Sequence, residues 1–148
     1  MNNAVGIILL SLFSSVLLII SVCQPDYLSD NNKFLQEFMN QNLLSILGVI
    51  VAITIASASQ VHLELGRMEE KHKAKNAFLS TKIEVRRGSF CLIYLFLFAL
   101  LIVVMKPVVA HSNVSEAIFN SLGLFTLFWN MLILIALIQL VFKIGPVD

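Results

Sequence analysis

The sequence predicts an all-α, polytopic membrane protein. Four transmembrane helices form a single domain, and the second and third extend past the bilayer into a cytosolic helical hairpin. Three observations predict this. Hydrophobic residues make up 58% of the 148 and charged residues only 13%, whereas a soluble domain has about 45–50% and about 25%. The apolar excess lies in four blocks free of Asp, Glu, Lys, Arg and His, at residues 4–23, 43–59, 90–105 and 117–142, each near the roughly 20 residues that cross hydrocarbon as a helix. Finally, seven of the ten basic residues lie in 60–89. Cytoplasmic loops carry the basic excess, so this segment and both termini are expected in the cytoplasm, with connections 24–42 and 106–116 outside. The location that follows is a bacterial inner membrane.

Residues 4–23 read as the first span and not as a signal peptide. The start lacks Lys and Arg, the apolar run is long, and no A-x-A site follows. Ser11, Ser14, Ser15 and Ser21 interrupt it, their hydroxyls expected to face another helix or to bond carbonyls one turn earlier. Pro25 stops this helix. In the outer connection Asp30 is expected to cap a short turn, whose Phe34, Leu35, Phe38 and Met39 form an apolar stripe suited to the membrane surface, with Tyr27 as an interface anchor.

The second span carries Gly48, Ala52 and Ala56 at successive steps of four. Small residues at that spacing let helix backbones approach closely, here with a helix of the same chain or of a neighbouring copy. Past Ser59 the chain stays helix-forming. Gly66 costs about 1 kcal/mol, and Glu69 and Lys73 are an i,i+4 pair in the favourable order. Val61, Leu65, Met68 and His72 repeat along one face, a stripe that a charged helix does not need unless something covers it. Thr81-x-x-Glu84 reads as a capping box opening the returning helix, which carries Lys82, Arg86 and Arg87 at the lipid headgroups.

The third span lacks polar groups beyond Tyr94 and is expected to face lipid, ending at Lys106-Pro107. In the fourth, Trp129 and Asn130 lie at mid-span. Gly123, Thr126 and Asn130 share one face, and a polar group at that depth bonds a neighbouring helix or lines a cavity or pore. Cys23 and Cys91 fall at opposite ends of their spans and read as small apolar residues.

Chemistry is sparse. Glu69-x-x-His72 has the spacing of a di-iron ligand pair, but the second copy that such a site requires is absent, and a salt-bridged helix face is the simpler reading. No phosphate loop, nucleophile elbow or cysteine cluster occurs. No metal or cofactor is expected. A net charge of +1 does not suggest direct nucleic-acid binding. The layout of four spans, both ends inside, and residues 60–89 as the sizeable cytosolic surface resembles the small four-helix membrane subunit of the bacterial Kiwa antiphage system. That resemblance covers the whole chain as a layout. It implies a non-enzymatic sensor or scaffold that oligomerises and works with a cytosolic partner protein. Leu65, Met68, His72 and Phe78 are the expected contacts for such a partner. The alternative is an oligomeric ion channel or pore-former that depolarises the membrane.

Overall fold

The computed structural model describes residues 3–71 and 78–142. Helix α1 spans Asn3–Cys23, and a 3-10 turn follows at Pro25–Tyr27. Helix α2 (Lys33–Glu37), a π-helical turn (Phe38–Asn42) and α3 (Leu43–Lys71) run on from one another, followed by α4 (Leu79–Val109) and α5 (Asn113–Phe142). There is no strand among the described residues. Four helical stretches are long and apolar enough to cross a membrane: Ala4–Cys23, Lys33–Lys71, Leu79–Val109 and Asn113–Phe142.

Helix α5 is the hub. It packs against α1, α3 and α4, and α4 in turn packs against α3. The α1–α5 seam is made by Phe13 stacked on Phe128 at 4.3 Å and by the Ser21 and Ser121 hydroxyls 2.7 Å apart. Where no water competes, small residues and hydroxyls hold helices together better than bulky apolar groups. Ser11 and Ser15 instead donate to carbonyls of their own helix. The outward face of α1 is apolar, with Ile7, Ile8, Leu12, Ile19 and Val22 exposed. A soluble monomer rarely presents such a continuous surface.

The second helix departs from expectation at its start. It begins at Lys33, not Leu43, because the predicted loop is helical from there on. Its cap is Asn32, whose Oδ1 accepts from the Leu35 N–H at 3.4 Å. Asp30 is engaged elsewhere. Leu35, Met39, Leu43 and Leu47 are all buried although they recur every fourth residue. In a straight α-helix each such step turns the stripe by about 40°, or about 120° from Leu35 to Leu47. The π turn absorbs one extra residue and takes back about 100° of that rotation, with the Leu43 N–H donating to the Phe38 carbonyl. The four side chains therefore stay on the inner face. Met39, Leu43 and Leu47 form the core with Ala99 of α4, flanked by Phe96, Val103 and Leu127. Tyr27 and Phe34 remain exposed.

Helix α4 presents the apolar outer face that its composition suggested, with Leu97, Leu101 and Val104 exposed, but it also has a buried face. Leu92, Leu95, Ala99, Ile102 and Lys106 are buried at three- and four-residue steps, because α4 lies between α3 and α5. It does not stop at Lys106. It continues through Pro107 to Val109, and the Ala110 N–H closes the last turn on the Lys106 carbonyl at 2.8 Å. Proline this close to the end removes only one helical hydrogen bond. The Thr81–Glu84 capping box does not form, since α4 has already begun at Leu79 with Phe78 as its N-cap residue. The start of α5 is capped by reciprocal bonds between Ser112 and Ser115. Both cysteines are free; Cys23 is exposed and Cys91 half-buried.

Candidate functional site

Two polar constellations lie at opposite ends of the bundle, and a third group lies along α5 between them. At the hairpin end, α3 and α4 are fastened by Glu69. Its Oε2 accepts from Lys82 Nζ at 2.7 Å and its Oε1 from the Phe78 backbone N–H at 3.0 Å. The second bond serves the exposed start of α4, the role that a local capping residue would otherwise fill. Glu69 lies beyond the apolar stretch of α3. The Lys82 hydrogen bond first and the Phe78 N–H second hold its carboxyl below the usual carboxylate range, with the positive charge nearby adding to this and partial burial opposing it. Each oxygen of Glu69 thus accepts one hydrogen bond.

The expected partner contacts divide. Leu65 is 2% exposed. One helical turn from Glu69, it lies on the side of α3 that carries the clasp to α4 and is covered within the chain. Met68 is exposed and Phe78 half-buried; His72 lies outside the described residues. The apolar groups this end does present are Leu63, Met68, Leu79 and Ile83. The sequence stripe missed three of these because they do not share its helical phase. Beside them a crevice of about 550 Å³ opens between α3 and α4. Lys82 and Arg86 line it; Arg87 does not.

At the other end, Lys106 is buried and its Nζ pairs with Asp30 Oδ1 at 2.6 Å. Asn120 Nδ2 donates to the same oxygen at 3.1 Å and to the Leu28 carbonyl at 2.7 Å. Glu116 Oε2 accepts from the Asp30 N–H at 3.2 Å. Asp26 accepts from both Asn31 and Asn113. The connection after α1 is thus fixed to the ends of α4 and α5 by charge and amide bonds. Sequence reading gave Asp30 a local cap and Lys106 a loop. Nothing in the spacing of two residues 76 apart marks them as partners.

Along α5, Gly123, Thr126 and Asn130 are all buried, as their shared face requires. Gly123 admits the Met39 side chain: a Cβ there would lie 2.8 Å from Met39 Sδ and nearer still to its methyl. The Thr126 hydroxyl donates to the Leu122 carbonyl. Among the described residues, both amide atoms of Asn130, and Oδ1 of Asn120, lack a hydrogen-bond partner. Of the small-residue stripe, Gly48 meets the Phe96 ring at van der Waals distance, while Ala52 and Ala56 are exposed. Close packing within the chain therefore holds for Gly48 alone. No protein family, no curated protein and no solved structure matches this chain.

Proposed function

We propose that this chain is a non-enzymatic, multi-pass subunit of a bacterial inner membrane that oligomerises and recruits a cytosolic protein to its helical hairpin. The supporting observation is the Glu69 clasp. It joins the ends of α3 and α4 well past their apolar stretches, giving a preformed finger with Leu63, Met68, Leu79 and Ile83 turned outward. A preformed scaffold loses less entropy on docking than a segment that must first fold. The concentration of basic residues in 60–89 argues for a cytosolic finger and cytosolic termini. The layout shared with the Kiwa membrane subunit makes antiphage defence the leading setting, with the chain sensing a disturbed envelope and passing that state to its partner.

The test is affinity purification of the full chain from mild detergent, with co-purifying proteins identified by mass spectrometry. The native chain is expected to bring down a cytosolic protein in stoichiometric amount. Met68→Asp with Ile83→Asp should lose it while membrane integration is unchanged. Recovery of no stoichiometric protein with the native chain overturns the reading.

One observation favours a second reading. An unpaired amide at mid-span is costly unless water, an ion or a second copy satisfies it, and Asn130 is such a group. An oligomeric channel would use it, and would conduct ions in liposomes with a flux altered by Asn130→Leu.

A further inference from the structure

The crevice between α3 and α4 at the hairpin end has an uneven lining. One wall is apolar, with Ile55 and Ile93; at its mouth are His62, Lys82 and Arg86. It straddles the limits of the apolar stretches, with Ser59 on one side and Ser89 on the other. Arg86 packs over the Phe90 ring at 5.7 Å and, among the described residues, has no carboxylate partner. The aromatic face fixes the guanidinium plane without using its N–H edge. Lys82 gives one contact to Glu69 and has further N–H donors to spare. Two cations against one carboxylate leave the mouth net positive.

We propose that this crevice holds an anionic phospholipid of the surrounding leaflet, its phosphate on the Arg86 N–H edge and Lys82, and one acyl chain along Ile55 and Ile93. The chemistry selects the occupant. An acidic peptide would match the cations but waste the apolar wall, and an apolar helix would leave Arg86 facing carbon. A free phosphate uses only the mouth. The inference rests on the membrane reading above and assigns the leaflet-facing crevice a ligand. It also separates two neighbouring arginines of equal charge: Arg86 is a ligand, whereas Arg87 contributes only to the general attraction of basic groups for an anionic surface.

The experiment is native mass spectrometry of the full chain released from detergent, after exchange with phosphatidylglycerol, phosphatidylcholine, diacylglycerol or inorganic phosphate. The expected result is retention of phosphatidylglycerol over the others. Losing a charge-assisted bidentate contact should cut retention about thirtyfold in Arg86→Gln. Losing one general surface charge should cut it about fivefold at most in Arg87→Gln. Ile93→Trp, which fills the apolar wall without changing charge, should also displace the lipid. Equal losses in the two arginine variants overturn the site in favour of diffuse attraction. Equal binding of phosphate alone overturns the lipid, and a bound second copy with no lipid overturns the occupant. A chain stripped from membranes by alkaline carbonate would refute the membrane reading itself. A chain that stays embedded and captures its partner, yet shows no difference between the arginines, refutes only the lipid site.

Discussion

Asp30→Ala removes the carboxylate from a pair whose lysine is nearly buried. The Lys106 side chain is 6% exposed and the Asp30 side chain 24%. Breaking a buried pair from one side costs about 3–5 kcal/mol, because the other charge stays behind uncompensated. Water already reaches Asp30, which moves the expectation below that range, to about 2–3 kcal/mol. Asn120 Nδ2 also loses one of its two acceptors, worth about another 0.5–1 kcal/mol. The sum is near 3 kcal/mol, or about a hundredfold in the folded-to-unfolded ratio. The reverse change, Lys106→Met, keeps the buried stem and leaves behind only a carboxylate that water can solvate. It should cost about 1–2 kcal/mol, and the double variant should cost little more than Lys106→Met alone. Equilibrium unfolding in mixed micelles with rising sodium dodecyl sulfate measures all three. Equal single costs that add to within about 0.5 kcal/mol in the double variant would show that the pair contributes nothing, and the reasoning would fail.

Other changes probe other seams. Gly123→Ala puts a methyl into the space of Met39 and should destabilise by about 1–3 kcal/mol, with Met39→Ala in the same chain recovering part of it; additive losses would contradict the contact. Asn130→Leu should raise stability in detergent by about 1–3 kcal/mol, since it removes two unpaired polar atoms; a fall would mean that water, an ion or another copy satisfies the amide. The depressed Glu69 carboxyl gives the hairpin a pH dependence of known sign. Its contribution is fully present above the ordinary glutamate value of about 4.3 and is lost as pH falls below that value through the lowered one. Proteolysis at 60–89 should therefore accelerate on acidification in the native chain and show no such step in Glu69→Gln.

What could be read in advance was what repeats along the chain. Charge-free blocks of span length, the basic run between the middle two, and the α5 face of Gly123, Thr126 and Asn130 are all local patterns, and helical geometry converts the last directly into a buried face. What could not be read was pairing between elements. Leu65 looked like a docking residue because a stripe on a charged helix needs a cover; the chain itself supplies that cover, leaving Leu65 2% exposed. Lys106 looked like the end of a span because proline follows it, yet a proline one turn from a helix terminus breaks little. Asp30 looked like a cap because that is what a lone aspartate before a helix usually does. The π turn was hidden for the same reason. Only the position of α4 and α5 shows that Leu35, Met39, Leu43 and Leu47 must all face inward, and the extra residue is the geometric consequence.

Both ends of the bundle are held by an ion pair and hydrogen bonds, but in different number, and this bears on where a signal could act. At the Asp30 end the loop, α4 and α5 are joined by an ion pair and several amide bonds, contacts that are short, directional and lost together. At the Glu69 end one carboxylate spans two helices. Open space lies at both ends: the crevice along α3 and α4 and a second of about 320 Å³ where Val61, Leu134 and Leu137 converge, and another of about 320 Å³ beside Asp30 and Lys106. Local opening follows the sparsest packing. Two polar bonds join the helices at the Glu69 end against five that tie the loop to α4 and α5 at the other, so a change in what surrounds the bundle is expected to shift α3 against α4 at the Glu69 end first. The proposed partner surface sits on that looser end. A sensor needs this arrangement, with one end fixed so that the other has something to move against. Tightening the clasp with a disulfide between α3 and α4 at this end should therefore leave folding and membrane integration intact and abolish any stimulus-dependent change in partner capture. Capture that still responds to the stimulus in the cross-linked chain would place the moving part elsewhere.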